Sequence, residues 1–266
     1  MTTDEKARSV KQWTRTPCGS SSIKSEEGSA KFFEDVRKNR YQSYAPWLKK
    51  LIESQKVKGK KLLEIGCGMG TDLLEFSKGG AKCYGIDLTP KHIELAKKLF
   101  KINGRKADLR VMDAEKLKFN DNKFDFVYSH GVLHHTPNIE KSFSEINRVL
   151  KKRGKAVIML YSKKSLAFLL KVILYHGIIR AELLRKSISD ILSEVIEEDS
   201  EHTKPYVKVY TKPEVKTLLE KTGFKVEKNY SKHLMNAKRS RIIPKSILAF
   251  LERFLGWYIV VEARKL

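Results

Sequence analysis

The sequence of 266 residues contains only three cysteines, Cys18, Cys67 and Cys83, and no C-x-x-C pair. This sparse count argues against a disulfide framework and a zinc site, and it is typical of reduced thiols in a cytoplasm. The opening residues, Met-Thr-Thr-Asp-Glu-Lys, contain no apolar run, so we expect no secretory signal there. We therefore predict a cytoplasmic location and leave open a peripheral contact with a membrane.

Carboxylates are scarce relative to cations, with 31 Asp and Glu against 54 Lys and Arg, a formal net charge of +23. The excess is +7 in residues 1–60, +7 in 61–160 and +9 in 161–266, so it is spread along the chain. Residues 228–245 differ, because they contain six Lys or Arg and no carboxylate. Such a stretch can meet a phosphate, an anionic lipid surface or RNA.

Glycines are concentrated where they are most informative, in the sequence Leu-Leu-Glu-Ile-Gly-Cys-Gly-Met-Gly-Thr-Asp of residues 62–72. An apolar strand runs into Glu64, Gly66, Gly68 and Gly70, and helical residues follow. Residues without Cβ let the backbone turn sharply and let a ligand lie against it. No Gly-Lys-Ser/Thr follows, which excludes a Walker loop, and the third glycine is one residue too early for G-x-G-x-x-G.

Two further acidic residues follow predicted strand ends. Asp87 directly follows the apolar stretch 83–86. A carboxylate there can accept hydrogen bonds from both hydroxyls of a ribose cis-diol. Asp113 follows the apolar stretch 109–112, where an acidic side chain can accept from an adenine amino group. A fourth strand at 124–129 leads into the sequence His-Gly-Val-Leu-His-His-Thr-Pro.

Strand and helix patterns alternate along the middle of the chain, which favours a doubly wound α/β fold with a parallel sheet between helices. We expect strands near 61–66, 82–87, 108–112, 124–129, 155–161, 224–230 and 257–262. We expect helices near 71–78, 90–103, 139–151, 212–222 and 244–255. Residues 31–55 have the apolar spacing of helical segments, and 14–30 that of a loop.

Over residues 60–162 the motifs, in this order, resemble those of the class I S-adenosylmethionine-dependent methyltransferases, most closely the small-molecule and quinone-type enzymes. The resemblance implies a Rossmann-like sheet of seven strands in the order 3-2-1-4-5-7-6, with the last strand antiparallel. It also implies S-adenosylmethionine as the cofactor. By position, the residues implied to contact the cofactor are Glu64, Gly66, Cys67, Gly68, Gly70, Thr71, Asp72, Asp87, Leu88, Asp113, Ala114, Ser129 and His130.

Three histidines, His130, His134 and His135, lie within six residues of each other. Imidazole titrates near neutral pH, so His130 or His134 is a candidate proton acceptor, whereas His135 is expected to pack or hydrogen-bond at a helix start. Some quinone methyltransferases carry an E-x-x-E-H metal site at this position. Here both glutamates are absent, so we expect no metal.

Two segments are candidates for contact with the methyl acceptor. Residues 1–55 are predicted to form an N-terminal loop and helical cap on a catalytic domain of residues 56–266. Within that domain, residues 163–203 are predicted to be a helical lid insertion, with membrane contact as an alternative. The candidate substrate-binding residues are Tyr41 and Tyr44 in the cap, and Tyr206 and Tyr210 after the insertion.

Three functional hypotheses follow. The first is methyl transfer to a small, lipophilic, quinone-like or lipid acceptor. The second is methylation of RNA, such as tRNA, which the net charge suggests, although no Asn/Asp-Pro-Pro-Tyr/Phe motif is present. The third is a non-catalytic cofactor-binding or membrane-surface protein.

Overall fold

The computed structural model describes residues 2–196, 205–234 and 244–266. Within these residues one seven-stranded sheet has the order β3-β2-β1-β4-β5-β7-β6, which confirms the predicted fold class. The strands are β1 (Lys61–Ile65), β2 (Lys82–Asp87), β3 (Ala107–Val111), β4 (Phe124–His130), β5 (Leu150–Tyr161), β6 (Phe224–Lys232) and β7 (Tyr258–Lys265).

Helices cover both faces of the sheet and connect the parallel strands. The α-helices are α1 (Thr2–Arg15), α2 (Ala30–Lys38), α3 (Pro46–Glu53), α4 (Thr71–Lys78), α5 (Pro90–Ile102), α6 (Ile139–Val149), α7 (Ile188–Ile196), α8 (Lys212–Lys221) and α9 (Lys245–Leu255). Wider π-helical turns form Asn39–Tyr44 and Phe168–Ile179, and short 3-10 turns form Leu133–His135 and Glu182–Leu184.

Strand direction determines where a ligand can bind. Strand β1 pairs in parallel with β2 and β4, and β4 with β5, whereas β7 is antiparallel to both β5 and β6. The loops after β1, β2 and β4 therefore leave the same edge of the sheet, where doubly wound folds bind their ligands.

Strand β5 begins five residues earlier than the sequence predicts. Leu150 already pairs with Phe124, and the register then jumps to Lys155 opposite Phe126. Arg153 has a left-handed backbone, with φ of 61°. A Cβ on Gly154 would lie 2.7 Å from a main-chain oxygen. This irregular stretch lacks the alternation that identifies a strand from sequence.

The N-terminal segment contributes to the main core. Phe32, Phe33 and Val36 of α2 are buried together with Leu48 of α3 and with side chains of the sheet. This confirms the helices expected in 31–55, while helix α1 was not expected. The division into a cap of residues 1–55 and a domain of residues 56–266 stays a prediction.

The insertion after β5 is helical in its described part. Its inner side buries Phe168 and Val172 against Ile191, Leu192 and Val195. The predicted insertion boundary extends to 203, and residues 197–203 lie outside the described residues. No helix among those that the structure describes has the length and apolar character needed to cross a membrane.

Candidate functional site

A cavity of about 580 Å³ lies at the carboxyl ends of β1, β2 and β4, beneath the N-terminal helices. It brings together most of the predicted cofactor residues. Those in its wall are Glu64, Gly66, Cys67, Gly68, Thr71, Asp72, Asp87, Leu88, Asp113, Ala114 and His130. The four acidic side chains therefore share one concave surface with the glycine loop.

The glycine loop leaves its backbone open to the cavity. Gly66 and Gly68 both have left-handed backbones, with φ of 69° and 51°. A Cβ on Gly66 would lie 2.1 Å from a methyl of Val132, whereas a Cβ on Gly68 would meet no atom within 4 Å. Gly66 is therefore required by packing, and Gly68 leaves room against which a ligand can lie.

Two predicted cofactor residues, Gly70 and Ser129, lie behind the cavity wall. A Cβ on Gly70 would approach Ala96 of α5 to 3.2 Å, so this glycine permits close packing of the helix. The Ser129 hydroxyl is fully buried and donates to the main-chain oxygen of Ile65 at 3.1 Å. Both residues shape the loop from behind.

Asp87 is held firmly at the end of β2. One carboxylate oxygen accepts from the main-chain N–H of Gly68 at 2.9 Å. The other accepts from the N–H of Thr89 at 2.9 Å and lies 3.1 Å from Nδ1 of His92. Burial opposes ionisation, but the contacts with His92 and the two N–H groups keep the pKa of Asp87 below its usual value. Asp87 is therefore an oriented anion at the cavity wall.

Asp113 has a partner that the sequence did not indicate. Lys6 of α1 places Nζ 2.7 Å from Asp113 and 2.6 Å from Glu115. Asp113 also accepts from the main-chain N–H of Glu115 at 2.8 Å. Helix α1 is thereby tied across the end of the cavity that follows β3.

Asp72 forms the centre of a buried polar cluster. Arg40 donates to both its oxygens, at 2.6 and 2.5 Å. The hydroxyls of Tyr41 and Tyr128 donate to it at 2.6 and 3.1 Å. Burial alone would raise the pKa of Asp72, but the Arg40 charge and hydrogen bonds lower it. No side-chain hydrogen bond caps the start of α4.

Glu64 lies beside this cluster and is 3% exposed. Burial, followed by the negative charge of Asp72, raises its pKa well above the usual value, although Arg40 opposes the shift. Its Oε2 has no hydrogen-bond partner among the described residues. Burial and the Asp72 charge therefore disfavour the ionised form of Glu64, whereas Arg40 favours the ionised form of Asp72.

His130 is poorly suited to accept a proton. Arg40 Nη2 lies 3.2 Å from Nδ1 of His130, and a guanidinium can only donate, so the ring proton is on Nε2. Burial and then the Arg40 charge lower the pKa of His130 to about 3. The imidazole is therefore neutral, and its basic nitrogen is already occupied.

His134 and His135 differ in what surrounds them. His134 is fully buried, stacks on Tyr161 with ring centroids 3.7 Å apart, and is absent from the described cavity wall. Burial lowers its pKa well below the usual value. His135 lines the cavity, and its Nδ1 is 2.8 Å from the carbonyl oxygen of Tyr206. Because a carbonyl only accepts, the basic nitrogen of His135 is Nε2.

The part of the cavity wall near β5 and β7 is aromatic. Tyr44 reaches it and contacts the hydroxyl of Tyr258. The other rings in this part are Tyr161, His233 and Trp257. Among the described residues, no group of three or more His, Cys, Asp or Glu is placed to hold a metal ion.

Three of the four predicted substrate tyrosines do not reach the described cavity wall. Tyr41 points to Asp72, and Tyr210 is 2% exposed and packs in the core. Tyr206 contacts the site only through its carbonyl oxygen. Of the four predicted tyrosines, only Tyr44 lines the described cavity wall. The other three were predicted wrongly because the direction in which a side chain packs cannot be read from residue spacing alone.

The sequence was compared with protein families and with known proteins. Residues 63–158 match a methyltransferase domain family. An uncharacterised protein of Methanocaldococcus jannaschii is 27% identical over 86% of each chain. A ubiquinone biosynthesis O-methyltransferase of Pelagibacter ubique is 34% identical over an aligned region that covers 44% of this chain and 48% of that relative.

The fold has solved counterparts. An S-adenosylmethionine-dependent methyltransferase from Mesorhizobium loti aligns with a TM-score of 0.58, covering 83% of this chain and 98% of that one at 18% identity. At this identity the likeness concerns the fold. Residues 63–158 carry a methyltransferase domain, and the motif order and the fold resemble those of the class I S-adenosylmethionine-dependent methyltransferases.

Proposed function

We propose that this protein transfers the methyl group of S-adenosylmethionine to a small, lipophilic acceptor that binds at the aromatic part of the cavity. One observation carries the proposal: a single cavity joins the glycine loop and Asp87 to a wall of aromatic rings. Apolar walls with a few oriented polar groups are typical of small-molecule sites.

The residues of the cavity suit this cofactor. The open backbone at Gly68 supplies space for the cofactor. Asp87 supplies an oriented anion for the ribose hydroxyls, and Asp113 supplies an acceptor for the adenine amino group. Leu88 and Ala114 provide apolar wall, and Glu64 places a carboxyl group in the same wall, where it can meet a cationic amino group. When bound, S-adenosylmethionine supplies a methyl group made electrophilic by its sulfonium.

The protein's part in such a displacement is positioning, exclusion of water and, where needed, removal of a proton. Trp257 and Tyr258 line the aromatic part of the cavity and are buried, so they exclude water. Neutral His130, fixed by Arg40, shapes the wall. Where the acceptor atom carries a proton, the base we propose is His135, because Nε2 is its basic nitrogen.

A small acceptor accounts for the cavity better than RNA does. The aromatic rings line a cavity of about 580 Å³, a size typical of small-ligand sites. The name of the Pelagibacter relative refers to ubiquinone biosynthesis, which is consistent with an apolar aromatic acceptor for that protein.

Label transfer tests the proposal. Purified protein is incubated with methyl-labelled cofactor and separated lipid-soluble, polar-metabolite and RNA fractions. We expect label in the lipid-soluble fraction and at least a hundredfold less with Asp87→Ala. Asp108→Ala removes a carboxylate near the start of the neighbouring strand β3, at the end of the sheet away from the cavity, and serves as the matched control. Label in RNA would refute a small acceptor, and no label in any fraction would favour a non-catalytic protein.

The role of His135 has a separate readout. In His135→Gln we expect turnover to fall about a hundredfold while the affinity for S-adenosylmethionine stays within about twofold of wild type. His130→Gln is expected to keep turnover within about tenfold of wild type. The reverse pattern would return the role of base to His130.

A further inference from the structure

The outer side of the insertion carries large apolar side chains in solvent. We call the six residues Leu170, Leu174, Tyr175, Ile178, Ile179 and Leu184 the insertion surface. Ile178, Ile179 and Leu184 are the most exposed, at 62%, 65% and 85%. Within Phe168–Ile179 the spacing is four residues, from Leu170 to Leu174 to Ile178 and from Tyr175 to Ile179, which places these side chains along one side of the helical segment. Contiguous apolar groups of this kind mark interaction sites.

Cations surround these apolar residues almost without opposing charge. Between residues 163 and 188 the sequence contains Lys163, Lys164, Lys171, Arg180, Arg185 and Lys186, and a single carboxylate, Glu182. That carboxylate is 13% exposed and is paired with His176, Arg180 and Lys186, and Lys186 is also paired with Glu194 at 2.6 Å. Arg180 and Lys186 are therefore partly neutralised, and the excess positive charge is that of Lys163, Lys164, Lys171 and Arg185. The surface therefore presents positive charge and aliphatic groups together.

The insertion is built onto the aromatic part of the cavity. It starts directly after Tyr161, and the N–H of Ser162 donates to the carbonyl of Trp257 at 2.8 Å. Its inner residues Phe168 and Val172 belong to the same buried cluster as Tyr161 and Trp257. A surface that the insertion contacts would lie next to the cavity wall where a lipophilic acceptor binds.

We infer that the insertion surface docks on an anionic membrane surface, with the aliphatic side chains at the level of the acyl chains and the cations among lipid headgroups. The charge decides between partners. A second copy in a twofold interface would bring the same cations against themselves, and an RNA backbone would leave the aliphatic groups in water. An anionic bilayer satisfies both groups at once.

Vesicle co-sedimentation tests this inference without depending on the acceptor or on turnover. The full chain is mixed with phosphatidylcholine vesicles, with or without about one quarter phosphatidylglycerol, at about 0.1 M and about 0.5 M salt. We expect binding to anionic vesicles at low salt, and a decrease of at least tenfold in partition coefficient at high salt or without anionic lipid.

Two triple variants separate the contribution of charge from that of apolar contact. The charge variant, Lys163→Gln/Lys164→Gln/Arg185→Gln, should lower the partition coefficient by roughly a hundredfold, about fivefold per charge. A matched control, Lys97→Gln/Lys101→Gln/Lys106→Gln, removes three exposed cations near the opposite edge of the sheet and should change it by less than about threefold.

The apolar triple variant Ile178→Ser/Ile179→Ser/Leu184→Ser should also lose about a hundredfold or more. Ile102→Ser/Val111→Ser, exposed residues near strand β3, is its control. Unchanged thermal unfolding and cofactor binding show that each variant is folded. Wild-type protein that ignores anionic vesicles, or variants that bind like wild type, would overturn the inference. So would a dimer that the apolar variant converts to a monomer while no vesicle binding is seen.

Discussion

Arg40→Met tests the buried ion pair beneath the cavity. Asp72 has a side chain 1% exposed and Arg40 one 20% exposed. The substitution removes the charge and both hydrogen bonds, and it leaves Asp72 with the hydroxyls of Tyr41 and Tyr128. Removing one partner of a buried pair costs about 3–5 kcal/mol, and the partial exposure of Arg40 favours the lower end. We therefore expect a loss of about 3 kcal/mol in the free energy of unfolding.

The assay is urea unfolding followed by circular dichroism at neutral pH. At about 3 kcal/mol the midpoint of thermal unfolding should fall by roughly 6–12 °C. Arg37→Met is the matched control, because its ion pair with Glu75 is more exposed and should contribute about 1 kcal/mol or less. Arg40→Met/Asp72→Asn should recover most of the loss, since no unpaired charge stays buried.

The pH dependence has a defined sign. In the wild type the lowered pKa of Asp72 stabilises the fold above the unfolded value of 3.8, and this contribution is lost as pH falls through the folded pKa. Without Arg40, burial raises the pKa of Asp72, so stability falls as pH rises above 3.8. The difference between the proteins should shrink toward pH 4. A loss below about 1 kcal/mol, or an equal loss in the double variant, would refute the pairing argument.

Two further predictions concern the cavity wall. Glu64→Gln should preserve or increase stability at neutral pH. The pKa of Glu64 is raised in the folded protein, so this group destabilises the fold as pH rises above 4.5. The same substitution should weaken cofactor binding about tenfold in calorimetry. The opposite pattern would show that Glu64 is a structural anion. Gly66→Ala should lower the free energy of unfolding by about 3 kcal/mol through its clash with Val132, whereas Gly68→Ala should cost about 1 kcal/mol and mainly weaken cofactor binding. Similar unfolding curves for the two variants would contradict the distinction between a packing glycine and a cradle glycine.

The sheet could be predicted from the sequence because its information is local. Apolar strands ending in Asp87 and in Gly66 alternate with helical patterns, and the observed order follows. Strand β5 was predicted too short, since the irregularity at Arg153 and Gly154 interrupts the alternation. Helix α1 was missed because its sequence is mostly polar, with only Ala7, Val10 and Trp13 as apolar residues.

The polar contacts of the site could not be predicted, because they join residues far apart in the chain. Arg40 and Asp72 are 32 positions apart, and Lys6 and Asp113 are 107 apart. No spacing rule connects such pairs. The same holds for His130, whose sequence context suggests a base and which burial and then the Arg40 charge keep neutral.

Calorimetric titration with S-adenosylmethionine tests the central claim most directly. Wild-type protein and the Asp108→Ala control should bind the cofactor with micromolar affinity, of order −8 kcal/mol. Asp87→Ala should bind at least a hundredfold more weakly while keeping a folded circular dichroism spectrum at the assay temperature. Absence of binding to the wild type, or equal binding by Asp87→Ala, would contradict the assignment of this cavity to the methyl donor.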